Sequence, residues 1–291
     1  FEDPSRILRA FKFAARLKFA IGPTTRGLME RFVRYKGQTG YKGGGARIRV
    51  ALEDFLDLPD SPEKHACLHD WVELGGLGLL APMADCEVAP DGPWLLDAIE
   101  RFHDRWPRML EALDKWLALA DEEAGAELRW QVLLCLVLGA FATPADRLLV
   151  EGRLELTRPE RETVQGFFAL REHGLPEGLG DGASPMRIVQ AFHKKPLASV
   201  LAALAVSPDF EQALRAFQAY KARFEPVKAE LKGQDLIALG FPSGEIIGKM
   251  LGQLLEQRLL NHLASREEEI QYVERWLQDN CPLDYHRLES D

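Results

Sequence analysis

The N-terminal segment carries the residue types and spacing best suited to chemistry. Two carboxylates and a proline are followed by four basic residues at three- and four-residue spacing: Glu2, Asp3, Pro4, Arg6, Arg9, Lys12 and Arg16. Proline and carboxylates favour a helix start, and the basic residues then share one helix face. Because a carboxylate accepts and a guanidinium donates hydrogen bonds, Asp3 and Arg6 together could match the edge of a nucleotide base. The alternative interpretation is a capped helix with solvated arginines.

The residues that follow add a family resemblance. The chain continues as ILRAFKFAARL from Ile7 to Leu17 and turns through FAIGPTT from Phe19 to Thr25. This segment resembles the neck motif of class II tRNA nucleotidyltransferases and bacterial poly(A) polymerases. The resemblance implies that Asp3 and Arg6 select ATP or CTP through the base. It also implies that Glu2 supports them and that Arg9 lies near the triphosphate or joins the helix network. Lys12 and Arg16, on the same cationic face, are predicted to contact RNA.

Two further segments are similar to the same family. Residues 46–56 resemble its second neck helix, which places Arg47 at the nucleotide pocket, although Ala51 stands where the family has glutamate. Residues 232–251 are similar to the tail region of long members. Gly244 and Gly248 would let a helix start come close to an RNA backbone or a packed helix, and Lys249 could donate to phosphate.

Residues needed for nucleotidyl transfer are not found in the chain. Family members carry a preceding catalytic head, in which an Asp-x-Asp pair holds magnesium. No Asp-x-Asp pair occurs in this sequence. We therefore expect the head to be encoded upstream or supplied in trans, and the chain alone to be inactive in transfer.

A rival group of residues suggests a metal-dependent reaction. His65, His69 and Asp70 share a predicted helix, and a His103-Asp104 pair follows. Histidines four residues apart can ligate a metal, as in HD-type phosphohydrolases. The alternative is that His65 and His69 are ordinary solvent-facing residues.

Composition and charge limit the possible classes. The 291 residues are 46% hydrophobic and 28% charged, with four widely spaced cysteines and no apolar stretch long enough for a membrane span. These features predict a cytoplasmic protein with reduced thiols. Residues 1–50 hold 12 Lys and Arg against 3 Asp and Glu, whereas the remainder holds 24 against 42. This asymmetry favours RNA binding that is local and salt-sensitive.

Helical periodicity predicts an all-α protein. The resemblance implies that it is elongated and has three parts, namely a neck over 1–58, a helical body over 59–173 and an RNA-contacting tail over 174–291. The resemblance implies that the neck holds the incoming ATP or CTP, and that body and tail grip tRNA by phosphate and shape. Addition of CCA, CC, A or poly(A) is not distinguished. A non-catalytic RNA-binding module is the alternative function.

Overall fold

The computed structural model describes residues 3–39, 44–81, 86–114, 122–172, 175, 184–241 and 244–280. These residues form helices and no β-strand, so the predicted all-α class is confirmed. The helices are α1 (Ser5–Leu17), α2 (Pro23–Thr39), α3 (Gly45–Leu56), α4 (Pro62–Glu73), α5 (Gly92–Leu113), α6 (Glu122–Gly139), α7 (Pro144–Arg153), α8 (Arg158–Glu172), α9 (Pro185–Phe192), α10 (Leu197–Val206), α11 (Phe210–Ala219), α12 (Gly233–Ala238), α13 (Glu245–Leu259) and α14 (Arg266–Asn280). A 3₁₀ turn covers Gly76–Leu79, and a π-helical turn covers Tyr220–Phe224. Among the described helices, none combines the length and apolar character that a membrane span requires.

The chain forms two compact units. The first contains the described residues up to Leu175 together with Lys194–Leu214. The second contains the described residues among 176–193 and those from Arg215 onward. Helix α9 therefore belongs to the second unit, although its neighbours α8 and α10 belong to the first.

Helix α1 is amphipathic and is held by its apolar face. Its buried residues recur at helical spacing and pack against α3 and α4: Ile7, Leu8, Phe11, Ala14 and Ala15. The helix ends where Lys18 adopts a left-handed conformation, with φ of 57°. This packing leaves Arg6, Arg9 and Arg16 on the exposed side.

Helices α6 and α10 form the centre of the first unit. All residues of α6 from Val132 to Leu138 are buried, so this apolar run forms part of the core. Helix α10 packs closely on α8, because a Cβ at Gly166 would lie only 2.6 Å from Ser199 Oγ. The same Ser199 hydroxyl donates to the carbonyl oxygen of Thr163 at 2.6 Å, so the polar group is satisfied inside the core.

Basic side chains donate hydrogen bonds to carbonyl groups at the C-terminal ends of several helices in this unit. Lys64 Nζ donates to the carbonyl oxygens of Leu56 and Leu58 at 2.6 and 2.7 Å. Arg105 and Arg171 likewise donate to terminal carbonyls, of α10 and α6 respectively. The last carbonyls of a helix lack intrahelical partners, and cations also interact favourably with the helix dipole there. These cations therefore have structural roles.

Helix α5 differs from its sequence-based expectation. Periodicity predicts a helix over 95–117 with a kink or break at Pro107, but α5 runs from Gly92 through Pro107 to Leu113. Proline removes only the bond to the carbonyl of His103, and burial of Phe102 and Trp106 holds the helix across that position. Proline therefore does not end the helix, and residues 115–117 lie outside the described residues.

The second unit has its own apolar core and a buried charge. The core contains Leu231, Leu236, Phe241, Met250, Leu254, Leu263 and Val273. Glu269 on α14 is fully buried and accepts hydrogen bonds from the N–H groups of Glu230 and Leu231 and from Arg258. Ser265 caps α14, since its hydroxyl accepts the N–H of Glu268 at 3.2 Å.

Asp146 ties the loop at 86–88 to the start of α7. Its buried carboxylate accepts the N–H groups of Glu87 and Val88 at 2.7 and 3.3 Å. Burial raises the pKa of Asp146, but the hydrogen bonds from Glu87, Thr143 and Val88 outweigh that effect and hold the pKa below its usual value. The ionised form is therefore the one that stabilises the fold.

We expect Asp146→Ala to lower the free energy of unfolding by about 2–3 kcal/mol at pH 7, because two backbone donors lose their acceptor. The difference from the native chain should be complete above pH ~4, the pKa of an unfolded aspartate, and should shrink as the pH falls through the lower folded value. Urea unfolding across this pH range measures both effects. Asp104→Ala, at an exposed position, is the control. Equal losses in the two variants would contradict the prediction.

Candidate nucleotide and RNA interface

Asp3 lies just before α1, and its carboxylate is surrounded by donors. Oδ1 accepts the N–H of Ser5 at 3.0 Å. Oδ2 lies 3.3 Å from Nη1 of Arg47 and 3.6 Å from Nη2 of Arg9. The buried Ser5 hydroxyl also accepts a hydrogen bond from Arg9 at 3.3 Å, so Ser5 joins this network.

The surroundings of Asp3 keep its carboxylate ionised. Burial alone would raise the pKa of Asp3, but the hydrogen bonds from Ser5 and the positive charges of Arg47 and Arg9 lower it below its usual value. An ionised carboxylate is an acceptor only. It is therefore suited to an exocyclic amino group, which adenine and cytosine both carry.

Arg6 occupies the adjacent exposed position. Its backbone N–H donates to the carbonyl oxygen of Asp3 at 3.2 Å, while its side chain is exposed on the first turn of α1. The structure thus brings the Asp3 carboxylate together with Arg9 and Arg47, whereas Arg6 lies beside this group. Glu2 lies outside the described residues.

Two glycines stand at the start of α3, shortly before Arg47. Gly44 has a φ of 70°, and a Cβ at Gly45 would lie 1.8 Å from the carbonyl oxygen of Arg153 at the end of α7. This close approach explains the glycine at position 45 by packing. Arg47, two residues on, has a side chain that is 74% exposed, so it can also face a ligand.

We expect Gly45→Ala to destabilise the chain by about 1–3 kcal/mol, because the new Cβ overlaps a backbone carbonyl that must shift. Gly248→Ala is the matched control, since a Cβ there meets no atom within 4 Å in an exposed helix position. That change should leave stability unchanged or raise it by up to about 1 kcal/mol. Urea unfolding measures both variants, and equal stabilities would be evidence against the packing explanation.

The other predicted RNA-binding cations differ in how available they are. Lys12 Nζ lies 2.6 Å from Asp54 of α3. Arg16 is exposed on α1. Lys18 and Arg26, which also contribute to the basic count, pair with Glu63 and Asp70 at 3.2 and 3.0 Å. The basic N-terminal segment is therefore partly neutralised by acidic side chains that follow it in the sequence.

The residues predicted to contact RNA in the tail, Gly244, Gly248 and Lys249, lie at the start of α13. Gly244 has a φ of 127° immediately before this helix, a conformation that glycine adopts readily. Added Cβ atoms at Gly244 and Gly248 would meet nothing within 4 Å, so neither position shows the close helix packing considered from the sequence. Lys249 lies 3.3 Å from Glu245 one turn earlier, and both side chains are well exposed.

The histidine group suggested by the sequence does not assemble as one site. His69 Nδ1 lies 3.4 Å from Glu73, and Asp70 pairs with Arg26. His65 instead contacts Asp60, with 2.5 Å between Nε2 and Oδ1, and faces His103 of α5 at 5.7 Å between ring centroids. The arrangement therefore lacks the shared face that an HD-type centre would need.

A different group forms around His65, and sequence reasoning missed two of its members. Asp60 Oδ1 lies 4.0 Å from Nδ1 of His103, and the buried Lys64 Nζ lies 3.3 Å from Nε2 of the same ring. Burial lowers the pKa of His103 to about 3, aided by the charge of Lys64, and lowers the pKa of Lys64 itself to about 8. Asp60 could have been found from its place before Ser61-Pro62, a helix-start signal, but the approach of α5 carries no local signal.

The helical arrangement is shared with solved structures of CCA-adding enzymes. A CCA-adding enzyme in complex with ATP matches with a TM-score of 0.64 and 22% identity, over 95% of this chain and 60% of that one. The Thermotoga maritima CCA-adding enzyme complexed with tRNA matches with a TM-score of 0.62 and 22% identity, over 94% and 61%. These likenesses define the fold as that of the helical part of such enzymes.

Sequence relatives indicate which class of enzyme the chain resembles. The A-adding tRNA nucleotidyltransferase of Deinococcus radiodurans is 25% identical over 313 aligned residues, covering 95% of this chain and 69% of that protein. The protein of the same name from Geobacter sulfurreducens is 25% identical and is covered over 29% of its length. No family model matches the chain. The relatives confirm the resemblance to class II tRNA nucleotidyltransferases. The chain spans about 60% of the structures and between 29% and 69% of the curated relatives it matches.

Proposed function

We propose that this chain is the helical part of a tRNA nucleotidyltransferase that adds A, C or both to the 3′ end of tRNA. The observation that carries the proposal is the Asp3 site, where an ionised, partly buried carboxylate lies at the start of a helix whose first turn presents the exposed Arg6. It occurs in a fold shared with CCA-adding enzymes.

In this proposal Asp3 and Arg6 read the base. The Asp3 carboxylate accepts from the amino group of adenine or cytosine, and the Arg6 guanidinium donates to a ring nitrogen or carbonyl of the same edge. Arg9 and Arg47 hold Asp3 in place and supply positive charge for the triphosphate. Glu2 is proposed to support this group.

The remaining cationic side chains would bind tRNA. Arg16 on α1 and Lys249 on α13 are exposed donors, and Lys12 would exchange Asp54 for a phosphate. The open surface at Gly244 and Gly248 would admit an RNA backbone. Since duplex RNA offers little base readout, these contacts would be to phosphate and shape, and affinity would fall with salt. Cytoplasmic action on tRNA is part of the same proposal.

Magnesium would be held outside this chain. In the described residues, the one group of His, Cys, Asp and Glu close enough to share a metal contains two imidazoles and a single carboxylate. Magnesium prefers oxygen ligands, so this group does not suit it. We therefore propose that a catalytic head supplies the metal ligands and that the 291-residue chain alone does not transfer nucleotides.

The test compares this chain with the complete protein that contains a head. Each is incubated with ATP or CTP and a tRNA lacking its 3′ end, and the products are sized. We expect incorporation only with the head present, and the length and base of the added segment to identify A, CC, CCA or poly(A) addition. Incorporation by the chain alone would overturn the division of labour. If the complete protein binds tRNA but adds nothing, the non-catalytic RNA-binding alternative replaces the proposal.

A further inference from the structure

A carboxylate and two imidazoles lie close together in the first unit, near the start of α4. One ligand atom from each of Asp60, His65 and His103 lies within 4.8 Å of the other two. Asp60 comes from the loop before α4, His65 from the first turns of α4 and His103 from the middle of α5. We propose that these three side chains form a zinc-binding site that fastens the start of α4 to α5.

The donor set matches zinc. Zn²⁺ is commonly bound by imidazole nitrogen and carboxylate oxygen at about 2.0–2.2 Å, and three protein ligands with one open position are a recurrent arrangement. Tetrahedral bonds of that length place ligand atoms about 3.4 Å apart. The present separations are 2.5 Å from Asp60 to His65 and 4.0 Å from Asp60 to His103, on either side of that value. Small movements of Asp60 and His65 would bring all three to bonding distance.

Two of the three ligands are exposed enough to move, whereas the third is held in place by burial. The side chain of His103 is only 4% exposed, so its ring is fixed, whereas the side chains of Asp60 and His65 are 49% and 41% exposed. The loop residue and the helix residue can therefore adjust to an ion, and solvent can reach the fourth position. The Ser61 cap, which accepts the N–H of Lys64 at 3.1 Å, fixes the backbone between the two adjustable ligands.

A buried cation limits how strongly the site can bind. Lys64 Nζ contacts Nε2 of His103, on the side of the ring away from Asp60. It keeps two further acceptors in the carbonyl oxygens of Leu56 and Leu58, so it does not depend on that contact. Its charge opposes a divalent ion nearby, while the Asp60 carboxylate favours one. We therefore expect reversible binding that is weaker than that of a structural zinc site.

The experiment titrates Zn²⁺ into the untagged 291-residue chain under reducing conditions, in competition with a metal-binding dye. We expect one equivalent of Zn²⁺ to bind reversibly. His65→Ala and Asp60→Asn should each weaken its binding by at least about 10- to 100-fold. His69→Ala, which removes an exposed histidine one turn further along α4, should bind as the native chain does. Circular dichroism checks that every variant is folded.

Two further readouts separate this site from adventitious binding. Zn²⁺ should raise the thermal midpoint of the native chain and of His69→Ala, but not that of His65→Ala. Co²⁺ in place of Zn²⁺ should give the visible spectrum of nitrogen and oxygen ligands. A thiolate charge-transfer band, equal binding by His65→Ala and His69→Ala, or the lack of any stoichiometric equivalent would each overturn the proposal. None of these readouts depends on nucleotide transfer, so the result is separate from that of the proposed function.

Discussion

In the head-containing enzyme that we propose, Asp3→Asn is expected to lower kcat/KM for the correct nucleotide by about 10- to 100-fold, the worth of a good two-point contact to a base edge. Asparagine keeps the size of the side chain but replaces an ionised acceptor by a group with two donors. It also removes the charge that holds Arg9 and Arg47. Arg6→Ala should cause a loss of similar size, because it removes the donor half of the same contact. The measurement is steady-state incorporation of ATP and of CTP into matched tRNA substrates.

The controls separate base selection from general damage. Arg16→Ala removes an exposed arginine from the same helix, beyond the Asp3 site, and should leave the ratio of ATP to CTP incorporation unchanged. Urea unfolding of each variant shows whether the fold is retained. If Asp3→Asn and Arg6→Ala are folded and leave the incorporation of ATP and of CTP unchanged, then Asp3 and Arg6 do not read the base and the neck assignment loses its chemical basis.

Glu269→Ala is expected to destabilise the second unit by about 3–5 kcal/mol, the usual cost of removing one partner of a buried charge pair. The Glu269 carboxylate lies 2.6 Å from Nε of Arg258 and 2.8 Å from the N–H of Leu231. Removing it leaves a largely buried guanidinium and a buried backbone donor without that acceptor. Apolar neighbours can repack into the space that the side chain leaves, but they cannot replace the hydrogen-bond acceptor that the polar groups lose.

The effect should be confined to one unit. Trp276, which packs on Phe241 with 4.9 Å between ring centroids, reports on the second unit. We expect its fluorescence transition to move to a lower urea concentration, whereas the first unit should unfold as in the native chain. Glu267→Ala, in the same first turn of α14 but exposed, is the control and should cost less than about 1 kcal/mol. Equal shifts in the two variants would contradict the role given to Glu269.

Local features of this protein were predictable from its sequence. The amphipathic spacing of α1 and the continuous apolar run of α6 follow from periodicity, because a helix exposes the same side every three to four residues. The caps at Ser61 and Ser265 were predictable because a serine just before a helix readily accepts a hydrogen bond from one of its first free N–H groups. In each case the decisive contact lies within one turn of the residue that signals it.

Contacts between distant residues were not predictable in the same way. Arg47 meets Asp3 only because α3 packs on α1, and the glycine at 45 is required by a carbonyl from Arg153, more than 100 residues later. The histidine spacing on α4 pointed to His69 and Asp70, whereas the partners of His65 came from a loop and from α5. Proline at 107 illustrates the converse, since buried neighbours maintain a helix that local propensity would end.

The division of the chain into two units has a consequence for fragments. The backbone passes from the first unit to the second after Leu175, returns at Lys194 and leaves again after Leu214. A fragment that stops at residue 173 would lose α10 and leave α6 and α8 with uncovered apolar sides. One that starts at 215 would lose α9, whose Phe192 ring packs at a tilt against Phe217 and Tyr220. No single cut yields two complete folding units, so a chain cleaved once between Leu175 and Ser184 should stay associated through the packing of α10 on α6 and α8.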